Sequence, residues 1–194
     1  MGLSYSSVLS FLSSFTKAID LVDAGSFFFV VYALAITFTR PLTGRIFDEK
    51  GEKFVMYPSY FFLTAGLLLL SLTVNSPMLL LSGALVGLGY GTFMSNGQAV
   101  CLKLVNNHRT GVALSTYLIG LDLGLGVGPY VMGSLQSMTS FRGVYIFAAI
   151  IPLVCAVLYF INNRRIKHLG LDAVTVEPEI SEIIEQFCVV RVFR

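Results

Sequence analysis

From Phe54 through Leu102 the chain runs for 49 residues without a single Asp, Glu, Lys or Arg. One helical crossing of a bilayer takes about 20 apolar residues, so this run holds two crossings. No soluble fold of 194 residues buries such a stretch. The rest of the chain shares the bias, with 55% hydrophobic and 12% charged residues. An average soluble domain carries about 25% charge. A soluble enzyme, a secreted disulfide scaffold and a disordered chain are excluded. The net charge of +2 is too small to point to a nucleic-acid partner. Cys101, Cys155 and Cys188 lie far apart, and the first two sit in apolar runs as small packing residues.

Pro, Gly and charge divide the chain into six apolar segments. The first, Leu3–Ala18, is short and polar. The second, Ala24–Phe38, is expected to close at Arg40-Pro41. The third is Phe54–Val74. Asn75-Ser76-Pro77 reads as a turn, and the fourth segment follows at Met78–Leu102. The fifth, Thr110–Gln136, is broken by one charge, Asp122. The sixth is Gly143–Ile161. Six spans fill residues 1–168 and leave no room for a second folded domain. No basic region precedes the first apolar segment, so it does not read as a signal peptide.

Basic residues near span ends set orientation. One side holds Arg40, Arg45, Lys50, Lys53, Lys103, Arg109, Arg164, Arg165 and Lys167; the other holds Lys17 and Arg142. The richer side is expected to be cytoplasmic, with both termini on it, in the cell membrane. Residues 169–194 then form a cytoplasmic tail. There Pro178 suits a first helical position, and Ile180, Ile183, Ile184 and Phe187 fall on one helical face. The tail reads as a poorly ordered end, a short amphipathic docking helix, or an extension from a disrupted reading frame.

Three features carry chemistry. The first is the segment Arg40–Lys53 between the second and third spans. Gly44 would let two helices approach closely, Gly51 would supply a turn, and Asp48 stands among bases where it can accept from Arg or from free amides. The second is the fifth span, where Gly120, Gly124 and Gly128 repeat every four residues as one small-residue face. Pro129 follows as a kink site, then Gly133. The third is Asp122. An ionisable group near the bilayer centre costs about 2.5–3.5 kcal/mol on insertion scales, so it faces a cavity or a partner. No Lys or Arg of the chain sits at its expected depth, so it is open to a proton, a cationic substrate, or a bond to backbone near the Gly-Pro break. Tyr90, Ser95, Asn96 and Gln98 add a polar patch to the fourth span, and Ser4, Tyr5, Ser6 and Ser7 to the first. These line a cavity or bond between helices. No HExxH, GxSxG or CxxC is present, and two His with scattered carboxylates make no metal site, so no enzyme and no cofactor is expected.

The pattern Gly44, Ile46, Asp48, Gly51, Lys53 resembles the G-x-L-a-D-r-x-G-r-k loop of the major facilitator superfamily. Glu49 and Glu52 depart from it, because bases are usual there. Gly124-x-x-x-Gly128-Pro129 with Gly133 is similar to the antiporter signature of drug–proton exporters in that superfamily, with Met132 where a second Gly is usual. Asn107-His108-Arg109-Thr110-Gly111 resembles the start of the eleventh helix of many exporters. Residues from Met1 to about Gly170 thus resemble the second half of such a transporter, helices seven to twelve.

The resemblance implies an all-α membrane protein of six transmembrane helices forming one half-bundle. It implies proton-coupled efflux of a small-molecule substrate across the lipid bilayer. Asp122, Asn96, Gln98, Tyr90 and Tyr5 are the candidate substrate and proton residues. Arg40, Gly44, Asp48, Gly51, Lys53 and Arg109 form the conformational segment. Gly120, Gly124, Gly128, Pro129 and Gly133 form the packing motif. Such transporters bind substrate between two halves, so a complementary N-terminal six-helix half, or a second copy, is the expected partner. A six-span substrate-capture subunit of a vitamin importer fits the size, and an inactive fragment of a disrupted transporter gene fits the length.

Overall fold

The computed structural model describes residues 1–103, 105 and 110–168, with side chains to residue 161. Among them stand six α-helices and no strand. They are α1 (Gly2–Ala18), α2 (Val22–Lys50), α3 (Lys53–Ser71), α4 (Ser76–Lys103), α5 (Thr110–Met138) and α6 (Phe141–His168). Helices α2 to α6 are long and apolar enough to cross a membrane. With 17 residues, α1 covers about 25 Å, short of the roughly 30 Å hydrocarbon core.

Helix α2 does not close at Arg40-Pro41. It runs through Pro41 to Lys50, so most of the expected loop is helix. A proline removes one backbone bond, and in lipid the freed group needs a partner. Threonine hydroxyls flank the proline and donate back along the helix, Thr37 to the Ala33 carbonyl at 2.8 Å, Thr39 to that of Ala35 at 2.5 Å and Thr43 to that of Thr39 at 3.0 Å, whereas the carbonyl that Pro41 frees is that of Thr37. Only Gly51 turns the chain, at φ +83° and ψ 171°, a region essentially closed to side chains.

Helix α2 packs along α4, α1 along α5, α3 along α6, and α3 also against α4. The core between them is apolar and draws on all six helices, through Val8, Phe28, Leu63, Val86, Met132 and Tyr145 among others. Helices α2 and α5 are the least covered.

The six helices are a threefold unit used twice. Shifting numbers by 88 carries Val22 to Thr110, Lys50 to Met138, Pro41 to Pro129 and Lys53 to Phe141, so α2 maps onto α5 and the start of α3 onto that of α6. Contacts map too. A methyl group on Gly91 would stand 2.5 Å from the Ile36 side chain, and one on Gly124 would stand 2.9 Å from the Leu3 amide nitrogen. The same shift exchanges these two pairs. Nested three-helix repeats of this kind occur within each half of major facilitator transporters. In length α1 and α3 are shorter than their counterparts, with 17 residues against 28 in α4 and 19 against 28 in α6. Gly2 of α1 lies on Leu121, eleven positions into α5.

Candidate functional site

That offset explains how far the small-residue face of α5 is used. Methyl groups on Gly124 and Gly128 would press into Leu3 and Ser6 of α1, and one on Gly133 would stand 3.7 Å from the Phe11 ring. Gly120, by contrast, meets nothing within 4 Å among the described residues. The stripe therefore packs helices at two of its three members. Met132, where a glycine is usual, is 2% exposed and joins the core. Pro129 lies within an unbroken helix.

The polar patches sort differently from either expectation. Ser95 donates to the Gly91 carbonyl at 3.1 Å and the Asn96 amide to that of Thr92 at 2.9 Å. Ser6 donates to Leu3 and Ser7 to Ser4 within α1. These groups satisfy themselves on their own helix, as an apolar surround demands. Gln98 is half-buried, and the buried Ser4 hydroxyl has no partner.

Tyr5 and Tyr90 do come together. Their rings stack at 3.9 Å between centroids and 14° between planes. Tyr32 of α2 also lies against Tyr5, with 5.6 Å between ring centroids and 16° between planes. Every other aromatic pair among the described residues is tilted by 41° or more. Tyr90 is 3% exposed and sits at the middle of α4. At one end of the row Asp122 lies within electrostatic reach of Tyr90. At the other, Arg40 lies within reach of Tyr32. Both charges are exposed on the bundle, and neither forms an ion pair with a described residue.

Arg40 was expected in a loop. The unbroken α2 sets it ten residues from Lys50, about 15 Å along the helix, and so nearer the depth of Asp122 than the loop reading allowed. Tyr32 was missed altogether. Its signal was its place in the middle of an apolar span, since membrane tyrosines favour the interfaces. None of these residues repeats across the 88-residue shift: Tyr32 maps to Gly120, Tyr5 to Phe93, Tyr90 to Gly2, Arg40 to Gly128 and Asp122 to Leu34. A row that breaks the scaffold's symmetry is not a product of that symmetry.

The Arg40–Lys53 segment is a helix end and a turn. Among the described residues nothing stands within 4 Å of a methyl group on Gly44, so none of the six helices approaches closely there. Asp48 is exposed in the last turn. Phe47 is 4% exposed, and the Lys103 ammonium lies 4.1 Å over its ring, tying α2 to α4 at their ends. Glu52, where a base was expected, accepts from the Tyr159 hydroxyl of α6 at 3.3 Å. Asn107–Arg109 and the 169–194 tail lie outside the described residues. Among the described residues no group of acids, cysteines and histidines is placed to hold a metal, and Cys101 and Cys155 form no disulfide.

A six-helix bundle of two three-helix repeats is the architecture of one half-bundle of a major facilitator fold. The sequence profile of the Major Facilitator Superfamily matches residues 1–193, and the chain belongs to that family. It is similar to proteins named multidrug resistance protein MdtG. The one from Proteus mirabilis is 25% identical, with 99% of this chain and 50% of that protein covered. The one from Dickeya zeae is 28% identical, with 86% and 42% covered, and that from Salmonella typhi 27%, with 84% and 42% covered. The chain spans about half the length of these relatives. It is a multi-pass membrane protein.

Proposed function

We propose that the chain is the C-terminal six-helix half of a proton-coupled exporter of small molecules, completed by an N-terminal six-helix half. The observation that carries this reading is the row from Arg40 through Tyr32, Tyr5 and Tyr90 to Asp122, drawn from four helices at the middle of the bundle. Transporters of this build bind substrate at the midplane between repeats, and an intramembrane carboxylate marks an ion or substrate path. Asp122 is the proton or cation site, Tyr5 and Tyr90 bound the substrate, and Asn96 and Gln98 lie further along α4. The exposed apolar faces of α2 and α5, with Phe27, Leu34, Leu123 and Val127, await the other half. Similarity to multidrug resistance proteins about twice as long supports both the partner and the substrate class. The bundle of residues 1–168 sits in the cell membrane with both termini in the cytoplasm, the tail of 169–194 following it.

The test is to co-express this chain with the first six helices of one of these relatives in cells sensitive to several drugs. Export of a fluorescent drug by the pair, absent with either half alone, is the expected result. Asp122→Asn should abolish the pH dependence of that export. Export unchanged by Asp122→Asn removes the proton role, and no export by any pairing removes the half-transporter reading.

A further inference from the structure

The glycines of the bundle sort its helices into two bodies. Gly66 of α3 faces the Val86 amide of α4, and Gly89 of α4 faces the Leu63 backbone of α3. Gly83 and Gly87 of α4 face the carbonyls of Phe28 and Tyr32 in α2. Helices α2, α3 and α4 thus lie backbone against backbone, and α6 packs mainly along α3. Gly2 of α1 faces the Leu121 carbonyl of α5, and Gly124 of α5 faces the Leu3 amide of α1, so these two helices interlock in the same way. Across the seam between the bodies the contacts change character. The atoms nearest Gly25 of α2 are those of the Thr16 side chain of α1, and the atoms nearest Gly97 of α4 are those of the Tyr117 side chain of α5. Rings line the seam as well, with Tyr5 against Tyr90 and Tyr32, and Phe15 against Phe141 and Tyr145. Interlocked backbones are bistable at best, whereas side chains hop between rotamers within a packed protein.

We propose that α1 and α5 swing as one unit against α2, α3, α4 and α6, and that Tyr117 is the latch that holds the unit closed. The hinge lies where α1 and α5 end. Gly124, Gly128 and Gly133 meet Leu3, Ser6 and Phe11 in turn, so the two helices run parallel and finish together. The short turns 19–21 and 139–140 tie that end to α2 and α6. At the other end the link from α4 to α5, residues 104–109, is longer, and there Tyr117 crosses the seam. Its hydroxyl donates to the carbonyls of Phe93 and Met94 at 3.3 Å each. Gly97 makes the seat, since a methyl group there would fall on the hydroxyl. The ring lies 6.4 Å from that of Phe93, and α4 and α5 otherwise touch little. Phe93 and Met94 lie inside α4, where a carbonyl has a lone pair left over from its helical bond. Release of Tyr117 therefore leaves no backbone group unpaired, and only the hydroxyl loses a partner. The crevice that opens leads from the Lys103 end of α4 toward Tyr90. Its use as a substrate entry rests on the transporter reading above; the motion itself belongs to this chain.

The experiment measures distances between paired spin labels on the purified 194-residue chain in lipid nanodiscs, in a background of Cys101→Ala, Cys155→Ala and Cys188→Ala. One label pair spans the latch, at Leu102→Cys and Val112→Cys. A second lies within one body, at Leu34→Cys of α2 and Leu81→Cys of α4. A third lies within the other, at Leu9→Cys of α1 and Val131→Cys of α5. All six positions are exposed. Tyr117→Phe removes the bond and keeps the ring. Gly97→Ala displaces the hydroxyl and puts a better helix former into α4, so it serves if the first variant folds poorly. Each should raise the share of a longer Leu102–Val112 distance about fivefold, the effect of one lost hydrogen bond. The other two distances should not move. An unmoved Leu102–Val112 distance in both variants, with or without a lower melting temperature, makes Tyr117 a packing residue and overturns the latch. Lengthening of all three distances shows one body loosening and overturns the seam. Neither substrate nor partner half enters the measurement. A failed export test therefore leaves the latch standing, and unmoved distances leave the transporter reading standing.

Discussion

Tyr5 on α1 and Tyr90 on α4 stack with their ring centroids 3.9 Å apart and their planes 14° from parallel. The pair joins the two three-helix repeats near the first turns of α1 and the middle of α4. The two rings should be energetically coupled. A double-mutant cycle with Tyr5→Leu and Tyr90→Leu, read by thermal unfolding in detergent, is expected to give a coupling of about 0.5–1.5 kcal/mol. Strict additivity of the two changes would show that the stack contributes shape and no pairwise stability.

The glycines of α5 divide by what stands opposite them. Gly128→Leu forces its side chain into Ser6, and Gly124→Leu into the backbone of Leu3. Each should destabilise by about 1–3 kcal/mol, the usual cost of overpacking. Gly120 faces open space in this chain. Gly120→Ala should be neutral or stabilising by up to about 1 kcal/mol, because alanine is the better helix former. Thermal unfolding of the three variants side by side checks the order. A loss at Gly120 equal to that at Gly128 would contradict the offset of α1 along α5.

Glu52 and Tyr159 join the α2–α3 turn to α6 through one hydrogen bond of 3.3 Å. Tyr159→Phe and Glu52→Ala should each cost about 1 kcal/mol, and the double variant no more than the worse single one. Glu52→Gln keeps an acceptor oxygen and should cost less than Glu52→Ala. Unfolding midpoints in urea or heat decide this. Full additivity would mean that the two groups act apart.

Hydropathy made the spans legible, because an apolar solvent imposes one rule over about 20 residues at a time. Asp122 stood out for the same reason, as one charge in an apolar span, and its role is a matter for the export test. The end of α2 was not. Arg40-Pro41 reads as a terminator in water, whereas a helix in lipid tolerates a proline more readily, and α2 runs through Pro41 to Lys50. Glu52 looked like a departure from a family pattern because its partner, Tyr159, lies 107 residues away. The tyrosine row was invisible for a related reason. Tyr32, Tyr5 and Tyr90 come from three helices, and no periodicity within one helix brings them together. The 88-residue repeat was equally hidden, since it survives in the matching lengths of α2 and α5, in Pro41 and Pro129, and in paired contacts.

Gly44 and Gly51 stand seven positions apart in one motif and do different work. Gly44 lies inside α2 with nothing within 4 Å of an added methyl group. Gly51 holds φ at +83° with ψ at 171°, which turns the chain from α2 into α3. That backbone conformation costs a residue with a side chain about 1–3 kcal/mol, and no steric relief is available because the strain is within the residue itself. Gly51→Ala is therefore expected to destabilise by that amount, and Gly44→Ala to be neutral or slightly stabilising as a helix-interior replacement. The strain should appear in the turn that also carries Glu52, so Gly51→Ala should weaken the Glu52–Tyr159 bond and reduce the loss caused by Tyr159→Phe. The check is unfolding of Gly44→Ala, Gly51→Ala and the Gly51→Ala, Tyr159→Phe double variant. If Gly44→Ala proved the more damaging of the two, the motif would act through close helix packing, as first expected from its sequence, and the helical end of α2 would have to be redrawn.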